Sequence, residues 1–225
     1  MSSFCFVPYL RARLMRSGLT AALLGLLGCQ PPQPPKEPQQ ASDRQLVLEG
    51  RAFPERYNEL PGRAQGHHLI VWREGRQAHK ALIESDVPDK DVLDALLRMG
   101  ATAGDNLSER TWTANEDPSA PEPDQHVEGS PVHIAVRWSG ETHALFELLE
   151  STREEDLDIR VGGHADLIQE FRSGCITCAF SCPGGRTSNA TYTIRDQVEG
   201  RHEFRADLSK WPPDGTPIEV VITLE

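Results

Sequence analysis

The apolar positions of this chain fall mostly in short runs with a period of two, and only one stretch follows a helical period. Gln45 to Arg51 (Gln-Leu-Val-Leu-Glu-Gly-Arg) reads as a first strand and His68 to Arg73 (His-Leu-Ile-Val-Trp-Arg) as a second. Glu74-Gly75-Arg76 reads as a hairpin turn leading to a returning strand from His79 to Glu84. Pro131 to Trp138 alternates most cleanly, placing Val132, Ile134, Val136 and Trp138 on one face. Ser139-Gly140-Glu141 turns it into Thr142 to Leu149. Ala190 to Arg195 and His202 to Leu208 read as a further hairpin, and Pro217 to Leu224 as a terminal strand. The helical stretch runs from Pro88 to Met99. Proline opens its first turn, Asp89 and Asp91 stand near its positive end, Val92, Leu93, Leu96 and Leu97 supply the apolar side, and Gly100 stops it. The fold expected is α+β: a β-rich single domain, residues 45–225, with one clear helix.

What precedes that domain reads as an address. Arg11, Arg13 and Arg16 form a positive segment with no acidic residue from Met1 to Gly28, followed by an apolar run from Leu19 to Leu27. About nine residues cannot cross a bilayer core, which needs roughly 20. The run fits the core of a signal peptide, residues 1–28. It ends in Leu26-Leu27-Gly28-Cys29, which resembles the lipobox of bacterial lipoproteins, and this resemblance implies lipidation of Cys29. Two or three acyl chains would make a stable anchor, where one gives only marginal binding. Residues 29–44 follow as a Pro/Gln-rich tether, extended and semi-rigid. The expected location is extracytoplasmic, on a membrane through the lipid. Gln30 is not the aspartate that retains enteric lipoproteins in the inner membrane, so the outer membrane is the expected one.

Charge narrows the partners. The full chain carries a net charge of −11, and removing three arginines with the leader leaves 20 basic residues against 34 acidic ones, or −14. Such a surface repels phosphate backbones, so nucleic acid is not an expected partner. An acidic, proline-rich segment near 116–128 lacks apolar periodicity and reads as a loop or insertion.

The candidate chemistry lies in a cysteine loop, 174–185: Gly-Cys-Ile-Thr-Cys-Ala-Phe-Ser-Cys-Pro-Gly-Gly. Cys175, Cys178 and Cys182 give the spacing C-x2-C-x3-C-P, which equals the last three positions of the bacterial ferredoxin run. Position 172, where that run has its first cysteine, is Arg, so a four-iron cluster would need another ligand or an open iron. Sec-exported chains also cross the membrane unfolded and would acquire a cluster outside. The three thiolates suit Cu(I) as well, or Zn²⁺ with a histidine, for which His164 is the nearest upstream candidate and His202 a downstream one. Two other chemistries fit the same residues. Cys175 and Cys178 can act as a redox dithiol, though without a thioredoxin-like context, or two of the three cysteines can form a structural disulfide.

Other polar groups read more simply. His67 and His68 open a strand, where neighbours face opposite sides, so at most one would serve a given site; they read as a solvated rim. His133 and His143 flank the Ser139-Gly140 turn as a surface pair. Asp86, Asp89 and Asp91 stand where a helix start favours negative charge. There is no G-x-S-x-G elbow, P-loop or H-E-x-x-H motif, and nothing in the sequence requires an enzyme.

Two stretches resemble the YdjY-like family of exported bacterial proteins. One is His68 to Leu107, above all Glu74-Gly75-Arg76-Gln77-Ala78-His79-Lys80-Ala81-Leu82, Asp86-Val87-Pro88 and Ala95 to Ala101. The other is the cysteine segment running into Gly184-Gly185-Arg186-Thr187-Ser188-Asn189-Ala190, together with Pro217 to Val221. Members are described as ferredoxin-like, so the resemblance implies an iron–sulfur or electron-carrier role with a redox protein partner. It also places Glu74, His79 and Lys80 in a family motif, where the residues themselves suggest a charged hairpin rim.

Overall fold

A computed structural model describes residues 34–62, 66–108, 125–151, 157–162 and 164–225. The signal-peptide segment, Cys29 and most of the acidic 116–128 segment lie outside the described residues. Among the described residues no helix is long and apolar enough to cross a membrane.

Three long strands form the centre: β2 (Gln45–Ala52), β5 (Val132–Trp138) and β12 (Pro217–Leu224); burial alternates along β5, while β2 and β12 each bury three consecutive residues. β12 lies between the other two and is antiparallel to both. The register sets buried rows across the sheet, Leu48–Val220–Val136 and Leu46–Ile222–Ile134. Each such side chain, removed from water, contributes about 1.5–3 kcal/mol, and a slip of one residue would turn every one of them to the opposite face. β1 (Gln39–Ser42) also pairs with β2, so strand structure begins inside the stretch that composition suggests as a tether.

The remaining strands of the sheet are β3 (His68–Trp72), β4 (Ile83–Ser85), β6 (Glu141–Ala144), β8 (Ile159–Val161), β9 (Cys175–Cys178) and β10 (Thr187–Asn189). The order is β6-β5-β12-β2-β4-β3-β9-β10-β8. A separate two-stranded piece joins β7 (Leu149–Ser151) to β11 (Phe204–Ala206). Among the described residues four α-helices accompany the sheet: α1 (Pro54–Asn58), α2 (Asp89–Arg98), α3 (Ala165–Phe171) and α4 (Ile194–Val198). The architecture is a β-rich α+β domain. On α2, Val92, Ala95 and Leu96 are buried while Leu97 is 42% exposed, so the apolar stripe is narrower than the sequence suggests.

Three local expectations are corrected. β3 and β4 are parallel, not a hairpin, with Ile70 opposite Ile83 and Trp72 opposite Ser85. The intervening chain crosses over through a 3-10 turn, Ala78–Lys80. Gly75 packs on the loop before β9, where a Cβ would come within 2.6 Å of Gly174 Cα and Ser173 O; a glycine that looks like a turn signal is required by a close backbone approach. The expected hairpin after Ala190 is also absent. Thr193 and Asp196 instead form a capping box that starts α4, and β11 pairs with β7. Finally, the strand after Gly140 ends at Ala144, where a 3-10 turn (Leu145–Leu148) begins, and His143 lies opposite Val136 and stacks on Trp138, away from His133.

Candidate metal centre

Cys175 and Cys178 are three residues apart on β9, so regular alternation would turn them to opposite faces. The pairing of β9 with β3 is irregular. His68 lies opposite Cys178, Ile70 opposite Thr177 and Val71 opposite Cys175. The step from Thr177 to Cys175 skips Ile176, and an extra residue of this kind shifts the alternation by one and re-aims the side chains. Cys175 and Cys178 therefore converge, with Cα atoms 6.6 Å apart and sulfurs at disulfide distance. Cys182 follows after a short turn and is a buried thiol.

Two groups of side chains result, each with its ligand atoms within 4.8 Å of one another: His67 with Cys178 and Cys182, and His68 with Cys175 and Cys178. Cys175 and Cys178 are paired as a disulfide, so either group could hold a metal ion only once that bond is reduced. Exposures are 3% for His67, 1% for Cys175, 0% for Cys178 and 4% for Cys182, so the centre is dry except on the half-buried His68 side. His67 precedes β3 and is pinned from α4: its Nδ1 is 2.7 Å from Gln197 Oε1, an acceptor. Nδ1 is therefore the protonated nitrogen and Nε2 the one that carries a lone pair. A bond of this kind to the far nitrogen is what orients a metal-binding imidazole.

The backbone around the cluster is fixed by buried polar side chains. Asn189 Nδ2 donates to Ala179 O at 3.1 Å, Ser188 Oγ to Cys182 O at 3.2 Å, and Ser181 Oγ to Asn189 O at 2.9 Å. Gly185 is needed here, since a Cβ would stand 2.6 Å from Ser188 Oγ and 3.1 Å from Cys178 Sγ. Arg186 forms a buried ion pair with Asp89 at the start of α2, tying the loop to the helix. Asp89 thus does more than sit near a helix end. Arg186 Nε and Nη1 have no hydrogen-bond partner among the described residues.

Burial dominates the electrostatics. It pushes the Cys182 thiol up to about 12, against the Gly184 and Gly185 amides that favour the thiolate. It pulls His67 down to about 4, opposed by the bond to Gln197 and assisted by the charge of Lys80. His68 is likewise held well below its ordinary value by burial, with His67, Lys80 and His79 adding to the effect. The imidazoles are neutral at neutral pH, as a ligand requires.

A YdjY domain spans residues 47–223, well over half of the chain. The chain belongs to the YdjY family. It is 34% identical over 153 residues to the uncharacterized protein YdjY of Escherichia coli (strain K12), an alignment covering 66% of this chain and 63% of that relative. No solved structure matches. All five residues of the two groups lie within the YdjY domain.

The histidines of the centre differ from those the sequence brings forward. His164 is in neither group: it caps α3, where its Nδ1 accepts from Leu167 N at 3.5 Å. His202 is buried elsewhere, stacked on Tyr192 at 3.7 Å with Nε2 2.9 Å from Ser151 Oγ. His67 and His68 take their place and are not a solvated rim. The two histidines enter different groups, as chain neighbours facing opposite sides do.

Proposed function

We propose that this YdjY-family chain is a metal-binding protein of an extracytoplasmic membrane surface, using His67, Cys178 and Cys182 as ligands. The observation that carries the reading is the convergence of two cysteine sulfurs and one oriented imidazole within 4.8 Å of one another in the buried interior. Bonds of about 2.3 Å to sulfur and 2.0–2.1 Å to nitrogen place the ligand atoms of a single ion roughly 3.5–4 Å apart. Cysteines that bind different irons of a four-iron cluster stand farther apart, so the spacing favours one ion over the iron–sulfur centre.

Sulfur and imidazole donors suit Cu(I) or Zn²⁺. Each group offers three donors, and Cu(I) is satisfied by three, whereas structural zinc takes four. Cu(I) is therefore the ion we assign. Bound there, it would supply a soft cationic partner for the thiolates. The protein's own part is to present neutral His67, to release the thiol protons of Cys178 and Cys182 as the ion enters, and to donate the Gly184 and Gly185 amides to the Cys182 thiolate.

Metal and acid-labile sulfide content of the reduced protein, purified without oxygen, tests this. Copper without sulfide is expected. Iron with sulfide would restore the cluster, and no metal after reconstitution would remove the proposal. The membrane location rests on the Leu26-Leu27-Gly28-Cys29 sequence. A Cys29→Ser chain is expected to leave the membrane fraction, and one that stays would contradict the lipid anchor.

A second reading has its own observation. Cys175 and Cys178 lie at disulfide distance, as a thiol–disulfide redox pair would. Their burial counts against exchange with a partner protein, because the attacking thiol must be reached.

A further inference from the structure

We infer that the reduced protein takes two Cu(I) ions, one in the His67–Cys178–Cys182 group and one in the His68–Cys175–Cys178 group, with the Cys178 thiolate bridging them. The inference rests on the metal-binding reading above and adds a second position to it.

The five donors do not make one site. They divide into two groups of three whose shared member is Cys178. A single ion cannot reach all five, whereas a thiolate sulfur has lone pairs enough for two soft ions. The chain supplies one imidazole to each side, because His67 and His68 are neighbours at the start of β3, with ring centroids 4.5 Å apart and planes inclined at 61°. His68 Nδ1 is buried and has no hydrogen-bond partner among the described residues, as expected of a nitrogen reserved for something other than the protein. His68 is also the less buried of the two imidazoles, so its group is the one nearer to solvent.

Charge agrees. Two monovalent cations with three thiolates total −1, and Lys80, whose positive charge acts on both histidines, opposes it. A single Cu(I) with the Cys178 and Cys182 thiolates also totals −1, so the second ion, entering as Cys175 gives up its proton, adds no net charge to the buried centre. The Cys175–Cys178 disulfide would withdraw both sulfurs, so the pair of ions belongs to the dithiol form alone.

The test is a titration of the full chain, reduced, in detergent and without oxygen, with Cu(I) held by a chromophoric competing chelator. The expected result is saturation at two ions, falling to one in His68→Gln and in Cys175→Ser and to none in Cys178→Ser. Copper X-ray absorption should show a copper–copper vector in the wild type that both single-site variants lose. Saturation at one ion, unchanged in His68→Gln and Cys175→Ser, would overturn the second position and leave the first. Absence of any Cu(I) binding would overturn the metal-binding reading itself, and this inference with it.

Discussion

Cys178 lies directly opposite His68 in the pairing of β3 with β9, and the same sulfur belongs to the group that contains His67. Cys178 is thus the residue on which both ligand groups depend. Cys178→Ser is expected to abolish copper binding, whereas Cys182→Ser and His67→Ala should each retain one weakly held ion in the outer group. Equilibrium competition against a chelator measures the difference; equal losses in all three variants would argue against separate groups.

Oxidation should empty the centre. A small disulfide reagent that accepts two electrons from Cys175 and Cys178 would be reduced to two thiols, leaving the Cys175–Cys178 bond and Cys182 as a thiol. The oxidised protein is expected to bind no copper, and copper-loaded protein to resist alkylation at all three cysteines. Mass spectrometry after alkylation reads both, and tight copper binding by protein with an intact disulfide would contradict the ligand assignment.

Gln197 positions a ligand without being one. Gln197→Leu removes the acceptor for His67 Nδ1, and the loss of such an outer partner costs about 10–100-fold in metal affinity. Gln197→Glu, which keeps an acceptor, should recover most of it. Unchanged affinity in Gln197→Leu would show that His67 needs no such support.

The Arg186–Asp89 pair should matter for stability. Arg186→Met alone leaves a buried carboxylate without its partner, and breaking such a pair costs about 3–5 kcal/mol. Asp89→Leu combined with Arg186→Met removes both charges and should cost much less. Denaturant unfolding of the single and double variants gives the comparison.

Gly185→Ala would press a methyl group toward Ser188 Oγ, Thr187 O and Cys178 Sγ. Overpacking of this kind costs about 1–3 kcal/mol, and the displaced Cys178 should bind copper more weakly. Both effects are measurable on one preparation, by unfolding and by chelator competition.

The long central strands were legible because their alternation survives in the fold: β2, β5 and β12 keep their apolar rows facing one way. The helix was legible from Pro88, its acidic first turn and Gly100. The parallel β3–β4 pairing was not, because Glu74-Gly75-Arg76 has the composition of a turn while Gly75 serves a contact with Gly174, far away in sequence. α4 carries a local signal, Thr193 with Asp196 three residues on, which the strand-like apolar positions around it mask. The cysteine loop announced itself by spacing. Its histidines did not, because the irregular β3–β9 pairing that brings Cys178 beside His68 and Cys175 is set by tertiary contacts and leaves no periodic trace.

The ligand assignment is tested most directly by copper K-edge X-ray absorption and copper content of the reduced, copper-loaded protein and of its His67→Ala and Cys182→Ser variants. Sulfur with nitrogen around copper and a copper–copper vector are expected in the wild type, and each substitution should remove that vector and one of the two ions while the retained ion keeps the His68, Cys175 and Cys178 donors. Copper content and a copper–copper vector unchanged by both substitutions would contradict the assignment of His67, Cys178 and Cys182 as ligands.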